Sequence, residues 1–240
     1  MNKVLLPWLI IFAASLTAQQ PVQLAEDLTI IPISKKAYIH VSTYSSETMN
    51  NMPANGLVFV DQGKAFIVDT PWTENQTSVL IHWITDSLGA EVEGVIPTHW
   101  HIDCMGGLAA VHNSDIASYA YQLTCEIAKS KGLPVPTHCF QDSLYLDGGK
   151  LICRFPGGGH TPDNIVVYLP EEKILFGGCM LKAMNWNSLG FTGDADLEAW
   201  PSTLKKVLDA YPDARIVIPG HGDAGGLNLV RHTLELFGGN

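Results

Sequence analysis

The stretch VEGVIPTHWHIDC, residues 92–104, opens as a short apolar run of the kind that forms a strand. Its last seven positions, Thr98 to Cys104, hold two histidines, an aspartate and a cysteine. His99 and His101 are two apart. In extended backbone that spacing puts both side chains on one face, within reach of a single ion. Asp103 continues on that side if the chain stays extended, or turns toward a neighbouring ion if it bends. Four such side chains at the exit of a strand fit a metal site better than an ordinary polar loop.

Upstream, LTIIPI (28–33), KAYIHVSTY (36–44), GLVFVDQG (56–63) and KAFIVDTP (64–71) read as strands. The last two form a hairpin turning at Gln62-Gly63. TENQTSVLIHWITDSLG (73–89) has apolar residues at helical spacing and ends on a glycine stop. Downstream the order recurs. KLICRFPGGGH (150–160), DNIVVYLP (163–170) and KILFGG (173–178) are strands, and LEAWPSTLKKVLDAYP (197–212) is a helix. ARIVIPGHGD (214–223) is a strand entering a loop, and GLNLVRHTLELFG (226–238) is a final helix. Strands then helix, twice, suits two sheets packed face to face with helices outside.

The chain's 240 residues, 46% hydrophobic, suffice for a substantial core. A net charge of −10 with no basic stripe argues against nucleic acid as partner. The first stretch has one lysine, an apolar run from Val4 to about Ala18 and small residues at its end. It reads as a cleaved signal peptide over residues 1–18, leaving 19–240 as one domain with no membrane attachment. The expected location is the periplasm. Five cysteines in an exported chain leave at least one thiol unpaired or on a metal; a disulfide among Cys125, Cys139 and Cys153 stays open.

Three more side chains share the setting of the opening stretch, just beyond a strand and beside glycine: His160 in GGGHTPDN, His221 in IPGHGDAGG, and Cys179 after ILFGG. His40, His82, His112, His138 and His232 lack it and read as core or surface residues. The expected ligands are therefore His99, His101, His160, Asp103, Cys179 and His221. Six are too many for one tetrahedral ion. They suit two ions with three protein ligands each, leaving open positions of the catalytic kind, and imidazole with thiolate favours zinc.

HWHIDC, GGGHTPDN, GGCMLK and PGHGD, in this order, resemble the dizinc metallo-β-lactamases whose second site uses a cysteine. The resemblance runs from about Leu28 to the C-terminus. It implies an αββα sandwich, an α/β layered fold. It also implies a first zinc on His99, His101 and His160 and a second on Asp103, Cys179 and His221. The implied activity is hydrolysis of the lactam amide bond of penicillins, cephalosporins and carbapenems by attack of zinc-bound hydroxide. Asp103 and Lys182 are the expected catalytic residues, with Lys182 binding the substrate carboxylate. Asp69 and Cys104 are expected to support the ligands. Glyoxalase II-like relatives, the thioester or lactone alternative, typically carry histidine where this chain has Cys104 and aspartate where it has Cys179. The segment 44–56 matches the family's mobile flap, with Met49 and Met52 where some members have an aromatic. Phe191 stands where relatives often place an asparagine. The serine-lactamase spacing in STLK, Ser202–Lys205, lacks its companion motifs and reads as an exposed helix start. Nothing in the sequence demands more than a monomer.

Overall fold

The computed structural model describes residues 20–47 and 49–238. The leader expected over residues 1–18 lies outside the described residues. Along the chain, β1 (Val22–Ala25), β2 (Leu28–Pro32), β3 (Ala37–Tyr44), β4 (Met52–Asp61) and β5 (Lys64–Val68) form an antiparallel meander. Helix α1 (Glu74–Leu88) crosses over to β6 (Glu91–Ile96), which pairs parallel with β5 and completes a six-stranded sheet. After α2 (Ile102–Met105), α3 (Leu108–Asn113), β7 (Tyr119–Tyr121), α4 (Gln122–Lys131) and β8 (His138–Phe140), the second sheet begins. Strands β9 (Ser143–Leu146), β10 (Leu151–Arg154), β11 (Val166–Leu169) and β12 (Ile174–Gly178) are antiparallel. Helix α5 (Trp200–Ala210) crosses over to β13 (Ile216–Pro219), parallel to β12, and α6 (Asn228–Glu235) follows. Each half thus ends in a helical crossover, the connection a parallel pair requires.

Alternation along the strands sets the layers. Leu57 and Phe59 of β4, Phe66 and Val68 of β5, Val167 and Leu169 of β11, and Ile174 and Phe176 of β12 share one core between the sheets. Their neighbours Val58, Ala65 and Ile67 pack outward with Leu80 and Ile84 of α1. Val166, Tyr168 and Leu175 pack outward with Trp200, Leu204 and Val207 of α5. Helix, sheet, sheet, helix is the αββα sandwich the motifs implied.

The β4–β5 hairpin turns at Gln62-Gly63 with φ of 50° and 79°, the paired left-handed conformation of a tight hairpin turn. Thr73 and Gln76 form a reciprocal capping box at the start of α1, and Gly89 closes it at φ 61°. Strand β4 begins at Met52 rather than Gly56, because pairing with β3 continues to Tyr44 opposite Met52. The STLK segment lies on α5, with the Ser202 hydroxyl bonded to the Ala199 carbonyl. Cys125 and Cys139 form a disulfide between α4 and β8, while Cys153 is buried in the inter-sheet core.

Gly56 of β4 is held against the site's supports. A Cβ there would lie 2.0 Å from His40 Nε2 and 2.7 Å from the Val68 carbonyl oxygen. The same His40 nitrogen reaches the Asp69 carbonyl at 2.9 Å. Gly56→Ala is therefore expected to destabilise the fold by about 2–3 kcal/mol, the cost of overpacking a close-packed interior, read from the midpoint of denaturant unfolding. An unchanged midpoint would show that His40 yields freely.

Candidate metal centre

Every expected ligand lies in a connection that follows a strand, with Asp103 inside the short helix α2. The chain leaves β6 at Ile96, bends through Thr98 to His101 rather than running extended, and enters α2, for which His101 is the N-cap. The bend turns Asp103 away from the line of the two histidines and toward the second group. His160 lies on the loop between β10 and β11, Cys179 directly follows β12, and His221 follows β13.

Two groups of three result. His101 Nδ1 and His160 Nε2 are 3.2 Å apart, and the His99 ring centroid lies 4.7 and 5.3 Å from those of His101 and His160. In the second group, Cys179 Sγ lies 3.1 Å from Asp103 Oδ2 and 3.4 Å from His221 Nε2, and the latter two atoms are 3.3 Å apart. Ligands about 2.0–2.3 Å from a tetrahedral zinc are separated by roughly 3.4 Å, so the second triangle has the right size. The groups adjoin, with Asp103 Oδ1 3.9 Å from His99 Nε2.

One unpaired atom fits the same reading. Among the described residues, His99 Nε2 is buried without a hydrogen-bond partner. Its other nitrogen lies 3.2 Å from Cys104 Sγ, so a proton on Nδ1 leaves the Nε2 lone pair free for an ion. His101 Nε2 is 3.0 Å from Asp194 Oδ2, and His221 Nδ1 is 2.6 Å from the Pro53 carbonyl oxygen. For these three rings the nitrogen facing away from its group has an acceptor, which fixes the tautomer a metal needs, whereas the outward His160 Nδ1 is buried without a partner. Asn55 of β4 donates to the carbonyls of Pro219 (2.9 Å) and Gly222 (2.7 Å), holding the His221 loop against the other sheet.

Burial lowers the pKa of His99 to about 3 and that of His160 to about 2, so both rings are neutral near pH 7 and present lone pairs. Burial alone would raise Asp103, but the His221 hydrogen bond and the nearby imidazoles outweigh it and hold the carboxyl well below its usual range. The Cys104 hydrogen bond leads in lowering the Cys179 thiol, against burial, while burial pushes Cys104 up. Burial would lower His221, yet Cys179 and Asp103 raise it well above the ordinary histidine value. The second group thus gathers negative charge that a proton on His221 answers and that a cation can answer instead.

Asp69 follows β5 and is buried, with φ 58°. Its carboxylate accepts from the Thr98 amide at 2.6 Å and the Thr98 hydroxyl at 2.9 Å, which sets the residue preceding His99. Lys182 is buried, donates to the Cys179 carbonyl at 3.1 Å, and lines the cavity of about 760 Å³ into which both groups open. Phe191 is 62% exposed and lines the same cavity, its ring centroid 5.9 Å from that of His101. Met49 and Met52 line it from the β3–β4 hairpin tip. Asp194, Trp72, Trp100 and Trp186 also line the cavity, and none of the four was expected from the sequence. His40 supports Asp69, His232 bonds the Trp186 carbonyl, and His112 bonds Ser118.

Asp194 is 38% exposed at its side chain, so its removal should leave the fold intact. Asp194→Asn is expected to weaken zinc binding at the three-histidine group by roughly 10- to 100-fold, the usual cost of losing a carboxylate behind a ligating imidazole. Competition with a chromophoric chelator measures this. Affinity equal to wild type would mean that the His101 ring is held by its neighbours alone.

The model of the metallo-beta-lactamase superfamily matches residues 50–221. A metallo-beta-lactamase type 2 of Bacteroides fragilis is 48% identical over 228 residues, covering 94% of this chain and 92% of that protein. One of Pseudomonas aeruginosa is 36% identical over 210 residues, covering 87% and 84%. Among solved structures, the DIM-1 metallo-beta-lactamase matches with a TM-score of 0.86 at 37% identity, over 88% of this chain and 97% of that one. Fold, donor geometry and sequence agree that this chain belongs to the metallo-β-lactamase superfamily.

Proposed function

We propose that this protein is an exported zinc-dependent β-lactamase, acting as a monomer with two zinc ions. His99, His101 and His160 hold one ion, and Asp103, Cys179 and His221 hold the other. The observation that carries the reading is the cysteine-bearing second group facing the same cavity as the buried Lys182, which follows Cys179 by three residues. Bound zinc supplies Lewis acidity that makes water nucleophilic near neutral pH and polarises the lactam carbonyl. The protein's part is placement. Lys182, anchored on the Cys179 carbonyl, presents its ammonium as a point charge for the substrate carboxylate. Trp186 and Trp200 lie 5.4 and 5.6 Å from that ammonium and shield it from water, which strengthens the pairing. Asp103 spans the two groups and keeps them in register. Cys104 and Asp194 hold His99 and His101, and Asp69 fixes the turn before them.

The Cys125–Cys139 disulfide supports an oxidising compartment, in keeping with a leader over residues 1–18 and a periplasmic location. No helix among the described residues is long and apolar enough to cross a membrane.

Residues 19–240 should hydrolyse a carbapenem and a cephalosporin, lose turnover with a chelator, and regain it when zinc is added back. Retained zinc without turnover of either drug would overturn the reading. Lys182→Ala is expected to raise KM by roughly 10- to 100-fold, in line with the 1.5–3 kcal/mol of a hydrogen bond to a charged group. Unchanged KM would remove Lys182 from substrate binding.

A further inference from the structure

The cavity does not end at the ligands. It continues along α2 and α3 to a wall formed by Trp100, Ile102, Met105, Ala109, Leu133 and Pro134. This wall holds no expected metal ligand atom. Ile102 is 50% exposed and Leu133 37%, so large apolar groups stand bare in a concave space that already contains the reactive centre. Apolar surface left open inside a pocket is the usual mark of a ligand contact.

The wall is also rigid. Gly132 ends α4 in the left-handed conformation at φ 68°, and the Leu133 amide bonds back to the Ala128 carbonyl at 2.9 Å. Pro134 and Pro136 fix the backbone on either side of Val135. The Cys125–Cys139 disulfide then closes the segment onto α4. Reciprocal bonds between Ser118 and Thr137, at 2.8 and 2.9 Å, and the parallel pairing of β7 with β8 tie its far end to the body. Trp100 is held in turn, with Lys131 Nζ 4.1 Å from the ring centroid and the His101 ring at its edge. A surface so fixed loses little entropy when a ligand settles on it.

The charges select the ligand. Of the charged residues that line the cavity, Glu74, Asp103 and Asp194 are carboxylates and Lys182 is the lysine, anchored on the Cys179 carbonyl, while Lys131 is engaged on Trp100. An anionic group would meet a carboxylate and no free cation, whereas an uncharged apolar group meets apolar partners throughout.

We propose that Leu133, Pro134 and Trp100 form a recognition wall for an aryl or branched alkyl substituent of the substrate. The wall is built from elements other than the β3–β4 hairpin. It rests on the reading of this site as a β-lactam hydrolase and adds which side chains of the drug it prefers.

The test compares two β-lactams with the same nucleus, one carrying a bulky aryl side chain and one a small alkyl side chain. The proteins are zinc-loaded wild type, Leu133→Ser and Val135→Ser. Val135 is 40% exposed on the same segment but does not line the cavity. Circular dichroism and zinc content establish that each variant is folded and loaded. Leu133→Ser should raise KM for the aryl compound roughly fivefold or more, because the aryl group then meets a hydroxyl in place of an isobutyl side chain. Its kcat should stay within about twofold, and the alkyl compound should change less. Val135→Ser should match wild type on both. An equal KM change for the two compounds, no change at all, or the same effect from Val135→Ser would overturn the wall's role. Wild type that turns over neither compound would instead bring down the hydrolase reading, and this inference with it.

Discussion

The buried carboxylate of Asp69 is the joint on which the site depends. It follows β5, takes the amide and hydroxyl of Thr98 at the exit of β6, and lends its carbonyl to His40 of β3. Its own amide bonds to the Ile96 carbonyl. Three strands are therefore locked together one residue before His99. The position requires φ 58°, which aspartate tolerates better than most residues. Burial drives the Asp69 acid well up despite the Thr98 bonds, so its charge is costly in the chain alone. Positive ions held beyond Thr98 would relieve that cost and so couple the joint to the proposed metals.

Given that joint, the two halves do equivalent work. Each is an antiparallel run closed by a helical crossover to a parallel edge strand, and each delivers candidate ligands where its parallel strands end, with His160 added from the loop between β10 and β11. Neither half completes a group by itself. The three-histidine group takes His160 from the second half, and the cysteine-bearing group takes Asp103 from the first. Asn55 reaches from β4 to the loop carrying His221, so the sandwich core and the site hold the same two layers together.

Much of this was legible in the sequence. Residues buried on both faces, such as those of KAFIV and KILFGG, gave dense apolar runs, and α1 carried both its cap and its stop. The ligands were legible because each lies just beyond a strand beside glycine or another ligand. The middle, residues 102–149, was not. Its helices and strands run from three to ten residues, too short for periodicity to assert itself. Asp194 was hidden for another reason: its role exists only because folding brings it to His101 across 93 positions. The pairing of Cys125 with Cys139 depends on α4 and β8 becoming neighbours, which spacing does not encode. Phe191, matched by loop count, does meet the His101 ring, edge to face, but only the fold reveals how far it projects into the cavity.

The proposed site holds two ions on two different groups of three. Titrating the metal-free protein with cobalt(II), while following absorbance, tests it directly, because thiolate coordination adds a sulfur-to-metal charge-transfer band. Saturation is expected at two ions per chain. In Cys179→Ser the charge-transfer band should vanish while one ion still binds tightly. A single ion per chain, or a charge-transfer band that survives in Cys179→Ser, would contradict the assignment and point to Cys104 as the sulfur ligand.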